Sequence, residues 1–394
     1  MEGTYTSMTV DDLDYTLFGT HVVLRDGAAR QLADELDALG LSRPVILSQT
    51  RMAASPVYAS LRATLSNLES LEITAIPAHS SVSLIETVTH QIKDFAPDCI
   101  VAIGGGSVSD SAKALAMLIA EGGALADHAT TLTATSTVIV PKRTQPKLPI
   151  ISLPTTASGA EVTPSLGVSD GHEKLLFWNR ALCSTSILID PCLSADIPLS
   201  IMHATAMNGI AHCLEGLYSR SKSRVSDALA MQATESFVSA LTDESLDEPA
   251  QRRALLLAGH MSGMVLSMAR SCLHHAICHV LGARHGIGHG IVNSIMLPHT
   301  IRYNETESTV RDDLSPVLAL VNRHHPAQPF DSVSAWLAHL AQSLSLPDRL
   351  SLYGLTDDDL DAAANLTMKE RGLAINPLPV RNASQIKSIL RNAL

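Results

Sequence analysis

The feature that most constrains this chain is an apolar run that ends in three glycines. Residues 98–103, DCIVAI, predict a buried strand and lead directly into GGGSVSDSAK, residues 104–113, which has the composition of a turn and a helix start. Further strand patterns at residues 44–48, 71–76 and 148–153 alternate with helical patterns at residues 28–39 and 82–95. Such alternation is typical of a parallel sheet with crossover helices. Residues 121–147 are weakly patterned and predict a long loop or a hairpin.

Helical periodicity replaces this alternation from about Leu199 to the C-terminus. The second half is rich in Ala, Leu and Met and lacks strand patterns. A chain of 394 residues is also too long for one compact core. We therefore predict an α/β domain with a Rossmann-like parallel sheet over residues 1–197, and an all-α domain over residues 198–394.

Charge and cysteine content narrow the possible functions. The net charge is −11, and no Lys/Arg cluster provides the basic face that nucleic-acid binding requires. The six cysteines form no C-x-x-C pair and lie in apolar runs, as buried thiols of a reducing compartment do. The N-terminus lacks signal-peptide features, and the apolar run 254–269 is shorter than the roughly 20 residues of a membrane span. We expect a cytoplasmic homodimer that acts on a small molecule and binds neither nucleic acid nor membrane.

Two turns that follow predicted strands favour a dinucleotide site. The GGGS turn lets the backbone approach a phosphate near the free N–H groups of a helix start. The later PTTASG turn, which we expect to open another helix, offers hydroxyl groups to phosphate or ribose. Either turn alone is also typical of a purely structural turn or helix cap, but two at the carboxyl ends of parallel strands favour a nucleotide. The expected cofactor contacts are Gly104, Gly105, Gly106, Ser107, Thr155, Thr156 and Ser158.

Residues 273–290, LHHAICHVLGARHGIGHG, hold five of the seventeen histidines. His275 and His279 are four apart and share one face of a helix. His289 follows the helix-ending Gly282, and we expect a loop to fold it back toward them. Such a set suits either a metal site or acid/base chemistry, whereas a single buried histidine is more often a satisfied core residue.

A second polar pair, Asn208 and His212, is one helical turn apart and completes a possible four-point site with His275 and His289. As metal ligands this set is flawed. Asn208 offers a neutral carbonyl oxygen where a divalent ion prefers a carboxylate. The sequence therefore disfavours a metal.

Together these motifs resemble the iron-containing alcohol dehydrogenase superfamily over nearly the whole chain. The pattern GGGS-x-x-D-x-A-K is matched at residues 104–113, where it includes Asp110 as a further cofactor-site residue, and P-T-T-x-x-[ST]-G-x-E-x-T is matched at residues 154–163. Asp190 and Pro191 resemble the DP that closes the family's nucleotide domain. The resemblance implies NADH or NADPH bound by the α/β domain and a cleft against a helical domain.

The helical half resembles the maleylacetate reductase branch, at residues 208–218, 273–282 and 376–379. In the superfamily an Asp and three histidines typically hold a metal. Their positions here are Asn208, His212, His275 and His289, and members of this branch generally work without a metal. Three departures stand out: Ala276 replaces a frequent Lys, Leu378 replaces a usual Arg, and residues 286–294 resemble the ordinary alcohol dehydrogenases.

The resemblance implies reduction of a conjugated oxo acid, such as maleylacetate to 3-oxoadipate in aromatic catabolism. A protonated His275 or His279 would stabilise the enolate and protonate the product in place of a metal. Lys174 and Arg284 are the cationic candidates for a substrate carboxylate. Gln49 stands where many members carry an acid for the ribose 2′-hydroxyl, so discrimination against NADP should be weak.

Three alternative functions stay open. One is a metal-dependent alcohol dehydrogenase or aldehyde reductase that uses iron or zinc despite Asn208. Another is a non-redox lyase or cyclase on the same fold, and the third is a catalytically silent nucleotide-binding protein.

Overall fold

The computed structural model describes residues 19–132, 138–171 and 173–394, so residues 1–18 and part of the predicted loop or hairpin at 121–147 lie outside the described residues. The described strands are β1 (His21–Leu24), β2 (Pro44–Ser48), β3 (Leu71–Ile73), β4 (Cys99–Gly104), β5 (Thr131–Leu132), β6 (Val138–Ile139), β7 (Ile150–Pro154), β8 (Ser165–Asp170), β9 (Glu173–Trp178) and β10 (Ser186–Ile189). The described helices are α1 (Leu32–Ala38), α2 (Thr50–Ala53), α3 (Pro56–Thr64), α4 (Val82–Ile92), α5 (Gly106–Glu121), α6 (Leu199–Tyr218), α7 (Arg224–Thr242), α8 (Glu248–Ala269), α9 (Leu273–His285), α10 (His289–Asn304), α11 (Ser308–His324), α12 (Val333–Ser343), α13 (Asp357–Thr367) and α14 (Ala383–Asn392).

A six-stranded parallel sheet in the order β1-β10-β7-β4-β2-β3 forms the centre of the first half. Every residue of β2, β4, β7 and β10 is buried, because helices cover both faces of the sheet. Residues of α4 and α5 form the core on one face, and residues of α1 and α3 form it on the other. The predicted fold class, a parallel-sheet α/β part followed by a helical part, is confirmed.

The threonine turn does not open a helix as predicted. After β7 the chain makes a short 3-10 turn at Ala160–Val162 and enters the antiparallel hairpin β8–β9. The cause is Lys113 of α5, whose fully buried ammonium donates to the carbonyls of Ala160 at 2.5 Å and Ser165 at 2.9 Å. These contacts hold the hairpin against α5.

Helix α6 is the central element of the second half. All residues from Ala206 to Tyr218 are buried, and α7, α8 and α10 pack around the helix. A β-carbon at Gly209 would lie 2.3 Å from Cζ of Phe237, so glycine allows α7 to approach closely. The polar side chains of α6 are thus held inside the protein.

Within the described ranges, no helix combines the length and apolar character needed to cross a membrane.

The threonine turn packs directly on α8 of the helical half. Gly159 has φ +66°, and a β-carbon there would lie 2.3 Å from the carbonyl oxygen of Gly259. Gly263 of α8 is equally close to the turn, because a β-carbon at Gly263 would lie 2.2 Å from the carbonyl oxygen of Gly159. The N–H of Ala157 also donates to Oγ1 of Thr205 at 3.2 Å. One of the two predicted cofactor turns is therefore in close contact with α8 and α6 of the helical half.

Candidate active site

The glycine turn and the threonine turn lie side by side at the carboxyl edge of the sheet. Because β4 and β7 pair with Gly104 aligned to Pro154, both turns leave the sheet at the same point. A β-carbon at Gly105 would lie only 2.9 Å from Oγ1 of Thr156, and one at Gly104 would lie 2.5 Å from Cγ2 of Val108. The two turns can approach this closely because residues 104 and 105 are glycines.

Several polar groups at this edge are available to a phosphate or ribose. Helix α5 begins at Gly106, and the first N–H groups of a helix have no partner within it. The hydroxyl of Thr156 is buried and has no hydrogen-bond partner in the described part of the chain, as expected of a group that a ligand satisfies. Gln49, which follows β2, donates from Nε2 to Oγ of Ser107 at 3.2 Å. The predicted cofactor residues at 49, 104–107 and 155–158 are thus brought together.

Asp110 joins the glycine turn to the hairpin. Its Oδ2 accepts the N–H of Gly167 at 3.2 Å. Burial raises the pKa of the Asp110 carboxyl, and the nearby Lys113 and Lys174 partly oppose this rise. Asp110 also lines a cavity between the glycine turn and the histidine helices, a placement that the motif alone does not reveal.

Four histidines come together between α6, α9 and α10. The ring centroids of His212 and His275 are 4.8 Å apart, and those of His275 and His289 are 5.9 Å apart. His279 stacks on His289 at 6.0 Å. Two details of the prediction are wrong, because α9 runs past Gly282 to His285, and His289 is the first residue of α10 and does not lie in a loop. The turn between the helices is made by Gly286, whose φ of 64° favours glycine.

His275 is held from both sides. Its Nδ1 lies 2.6 Å from Oε2 of Glu215, and its Nε2 lies 3.2 Å from Oδ1 of Asn208. Burial lowers the pKa of His275 well below its ordinary value and raises the pKa of Glu215. Glu215 is absent from the sequence-based predictions, although its position three residues after His212 places it on the same side of α6.

A cavity of about 90 Å³ lies between the histidine helices and the glycine turn. His279 and His289 line it, whereas His212 and His275 are not among its lining residues. The lining residues are Ala78, His79, Ser80, Ser107, Asp110, Gly167, Ser169, Lys174, Cys278, His279, Gly282, Ala283 and His289. The segment 78–80, which brings His79 and Ser80 to the cavity, carries no motif in the sequence.

Lys174 brings a positive charge to this cavity. Its side chain lies across Gly167 of the paired strand, where a β-carbon would be 2.2 Å from Cε of the lysine. Burial lowers the pKa of His289 well below its ordinary value, and Lys174 lowers it further. The predicted placement of Lys174 near the histidines agrees with this geometry, and its role in substrate binding stays a prediction.

His279 has its own carboxylate partner. Its Nδ1 lies 3.3 Å from Oε2 of Glu370, in the segment that follows α13. Burial lowers the pKa of His279, the hydrogen bond to Glu370 raises it, and Lys174 lowers it. No sequence pattern pointed to Glu370, which is 91 residues from His279.

Two other polar residues of α9 lie outside the cavity. Arg284, a candidate for binding a substrate carboxylate, is close to Asp359 of α13 and does not line the cavity. His274 is fully buried, with Nε2 at 2.7 Å from Oδ1 of Asn293. Burial lowers the pKa of His274 to about 3, so it is a neutral core residue.

Sequence comparison shows the same family on both halves of the chain. The family described as iron-containing alcohol dehydrogenase matches residues 19–191, and its C-terminal domain matches residues 202–394. The chain belongs to the iron-containing alcohol dehydrogenase family.

Several relatives of known name are similar over nearly their full length. The maleylacetate reductase of a Rhizobium species is 27% identical over 381 residues, which is 96% of this chain and 97% of the relative. A 4-hydroxybutyrate dehydrogenase of Cupriavidus necator is 27% identical over 353 residues, 87% of this chain and 90% of the relative. The crystal structure of a Rhizobium maleylacetate reductase superimposes with a TM-score of 0.77 at 26% identity and covers 97% of this chain and 98% of its own.

The family name implies iron, yet the side chains at the metal positions of this member do not fit a divalent ion. Asn208 supplies a neutral oxygen that is already bonded to Nε2 of His275. Among the residues that the structure describes, no three His, Cys, Asp or Glu side chains are grouped to hold a metal. Divalent iron and zinc sites require such a convergent set.

Proposed function

We propose that the protein is an NAD(P)H-dependent reductase that acts without a metal ion on a conjugated oxo acid, with maleylacetate to 3-oxoadipate as the reference reaction. The observation that carries this proposal is the cavity. It is lined by Ser107 of the glycine turn and by His279, His289 and Lys174. The glycine turn, two histidines and a lysine therefore meet in one small space, which suits a bound nucleotide beside acid/base groups and a cation.

The names of the relatives support a carboxylate substrate. Maleylacetate and 4-hydroxybutyrate, named for two of the relatives, are both small carboxylates. A lysine ammonium in a partly buried cavity is well suited to bind such a group. We assign this role to Lys174.

The cofactor would lie along the two turns. Its pyrophosphate would accept hydrogen bonds from N–H groups at the start of α5, and Thr156 would offer its unpartnered hydroxyl. Gln49 carries no charge that would repel a 2′-phosphate, so we expect both NADH and NADPH to be used.

When bound, a reduced nicotinamide cofactor would supply the hydride that adds to the carbon–carbon double bond of the substrate. Negative charge then develops on the enolate oxygen, where neutral donors and cations stabilise it. His279 donates a proton to the α-carbon of the enolate, next to the carbon that bears the oxygen, which restores the ketone. His279 suits this role better than His275, because it lines the cavity and His275 is only 3% exposed.

The test combines a rate with an elemental analysis. We expect chelator-treated protein to oxidise NADH or NADPH when maleylacetate is added and to hold far less than one metal per chain. Activity that is lost with chelator and restored by Zn²⁺ or Fe²⁺ would contradict the metal-free reaction. Inactivity toward maleylacetate and other conjugated oxo acids would contradict the substrate class. Oxidation of 4-hydroxybutyrate with NAD⁺ would instead indicate a hydroxy-acid dehydrogenase.

A further inference from the structure

His79 is a histidine of the cavity wall that the proposed reaction leaves without a role. It lies in the segment between β3 and α4, and its side chain is half-buried. Among the described residues, the ring of His79 forms neither a hydrogen bond nor an ion pair. A polar ring that borders a cavity without a protein partner is available to a ligand.

The segment that carries His79 is held on two sides. The carbonyl oxygen of Ser80 accepts the N–H of Ser169 on β8 at 2.9 Å. The hydroxyl of Ser80 donates to the carbonyl oxygen of Ser107 at 3.2 Å and also contacts the hydroxyl of Ser111. His79 is therefore kept between the β8–β9 hairpin and the start of α5.

Lys174 reaches the same cavity from β9. It pairs across the hairpin with Ser169, the residue that binds the segment of His79. Its side chain lies over Gly167, where a β-carbon would be 2.2 Å from Cε and 3.0 Å from Nζ of the lysine. In the described part of the chain, the ammonium of Lys174 has no hydrogen bond and no ion pair. Glycine at position 167 thus leaves room for an unpaired lysine beside the cavity.

The side chains of His79 and Lys174 are close enough to interact electrostatically. Burial lowers the pKa of His79, and the positive charge of Lys174 lowers it further. The ring of His79 is therefore neutral near pH 7 and offers one N–H beside an ammonium. A carboxylate has two oxygens and can accept a hydrogen bond from each of these donors.

We propose that His79 and Lys174 together form a carboxylate subsite, in which the ring N–H of His79 and the ammonium of Lys174 bind one carboxylate of the substrate. This assignment deepens the proposed reductase function and rests on it, because it names His79 as a residue that selects acids over neutral enones. Both residues belong to the first half of the chain, whereas His279 and His289 belong to the helical half. A substrate held by its carboxylate on the first half presents its reacting carbons to the histidines of the second.

Asp110 is the acid among the residues that line this cavity. Burial raises the pKa of its carboxyl, although Lys113 and Lys174 oppose the rise, and its Oδ2 already accepts the N–H of Gly167. This one carboxyl is outnumbered by Lys174 and three histidines, which are His79, His279 and His289. The balance of charges and donors therefore favours an anionic ligand.

Binding of a saturated dicarboxylate tests the subsite without turnover. Adipate is 3-oxoadipate without its oxo group, so a reduced cofactor cannot act on it, and calorimetry with NADPH-loaded protein measures its affinity. We expect adipate to bind and its neutral dimethyl ester not to bind. In His79→Leu the affinity for adipate should fall roughly 10- to 100-fold, which is the usual effect of losing a hydrogen bond to a charged group. Absence of adipate binding, or equal binding by both proteins, overturns the proposal.

Two further variants separate the subsite from general effects. His90→Leu makes the same exchange on α4, outside the cavity, and should leave adipate binding unchanged. A loss equal to that of His79→Leu would overturn the specific role of His79. Gly167→Ala keeps the charge of Lys174 but displaces its side chain, so adipate should bind more weakly. Unchanged affinity in this variant would overturn the placement of the ammonium in the subsite.

Kinetics show which molecule the subsite serves. In His79→Leu the KM for maleylacetate should rise roughly 10- to 100-fold with a much smaller change in kcat, since the contact is made before and during the reaction. His79→Gln should recover much of this loss, because its amide can donate. A Gln variant as weak as the Leu variant would overturn the hydrogen bond.

Cofactor titration excludes a different occupant. The affinity for NADPH should be the same in His79→Leu and the unmodified protein. Weaker NADPH binding with unchanged adipate binding would assign His79 to a cofactor phosphate and overturn the proposal. Inactivity toward all oxo acids would contradict the proposed function, whereas adipate binding reports on His79 and Lys174 independently of turnover.

Discussion

The two halves of the molecule position their functional groups by different means. At the sheet edge the backbone sets the geometry: β4 and β7 pair in register, and Gly105 lets Thr156 approach. In the helical half, side chains from distant positions hold each histidine. Glu215 contacts His275 across 60 residues, and Glu370 contacts His279 across 91. The geometry at the carboxyl ends of β4 and β7 therefore depends on small residues. The positions of the histidine rings depend on individual polar partners.

The histidine pair on α9 repeats this contrast on a smaller scale. His275 is enclosed by Glu215, Asn208 and the ring of His212, whereas His279 faces the cavity and has a partly exposed acid as partner. The ring of His275 is thus held in place by its neighbours, whereas the ring of His279 is placed to contact a substrate in the cavity.

The largest expected effect is that of His279→Ala. Loss of a positioned proton donor lowers kcat by roughly 100- to 10,000-fold, while the affinity for NADPH should stay the same, because the cofactor turns lie on the other half. Steady-state kinetics and cofactor titration by fluorescence measure the two quantities. His285→Ala, on the same helix but outside the cavity, is the control and should keep near-normal turnover. A His279→Ala variant that keeps its kcat would remove His279 from the proton transfer.

Asn208→Asp tests whether the neutral amide at this position is what keeps a divalent metal out of the histidine site. It restores a carboxylate beside His212, His275 and His289, so we expect uptake of about one divalent metal per chain. Without metal, kcat should fall roughly 100-fold, because a buried carboxylate added beside the histidines opposes the negative charge of the developing enolate. Elemental analysis and rates with and without chelator measure both effects.

The control for Asn208→Asp is Asn293→Asp, a buried amide that contacts the core residue His274. It should bind no metal, since its side-chain oxygen faces the ring of His274, whereas that of Asn208 faces the ring of His275. An Asn208→Asp protein that stays metal-free and active would mean that the amide has no special role.

The strand, glycine turn and helix start at the sheet edge could be predicted from sequence because their signals are local. An apolar strand, three glycines and a helix start lie within sixteen consecutive residues, 98–113. The partners of the histidines could not be predicted in this way, since Glu370 is far along the chain and follows no motif. The threonine turn was predicted wrongly for the same reason: Lys113, 47 residues upstream, binds the carbonyl of Ala160 and directs the chain into a hairpin. Long-range polar contacts therefore limit what a sequence pattern can indicate.

Gly159→Ala should disrupt the contact between the halves. A side chain at φ +66° costs about 1–2 kcal/mol in conformation, and overlap with the Gly259 carbonyl adds about 1–3 kcal/mol. Urea unfolding should show the summed loss, together with weaker NADPH binding. Gly354→Ala is matched in conformation, with φ +80°, but a β-carbon there meets nothing within 4 Å. Equal destabilisation by both variants would show that the close approach of Gly159 and Gly259 does not contribute to the free energy of unfolding.

The smallest expected effect is that of Glu370→Gln. Its hydrogen bond and charge raise the pKa of His279, so the variant should have a lower His279 pKa. Reduction requires protonated His279, and kcat falls as pH rises through that pKa. Because burial already lowers this pKa, the fall lies below the ordinary histidine range, and Glu370→Gln should move it to still lower pH.

At pH 7 the loss should be roughly two- to fivefold in kcat, since a partly exposed ion pair contributes up to about 1 kcal/mol. The profile of kcat against pH between about 4.5 and 8, at saturating cofactor and substrate, measures it. Glu35→Gln is the control, because Glu35 lies on α1 of the other half and pairs with the surface residue His21 at 3.1 Å. A profile identical to that of the unmodified protein would show that Glu370 does not tune His279, and that this histidine does not depend on its distant partner.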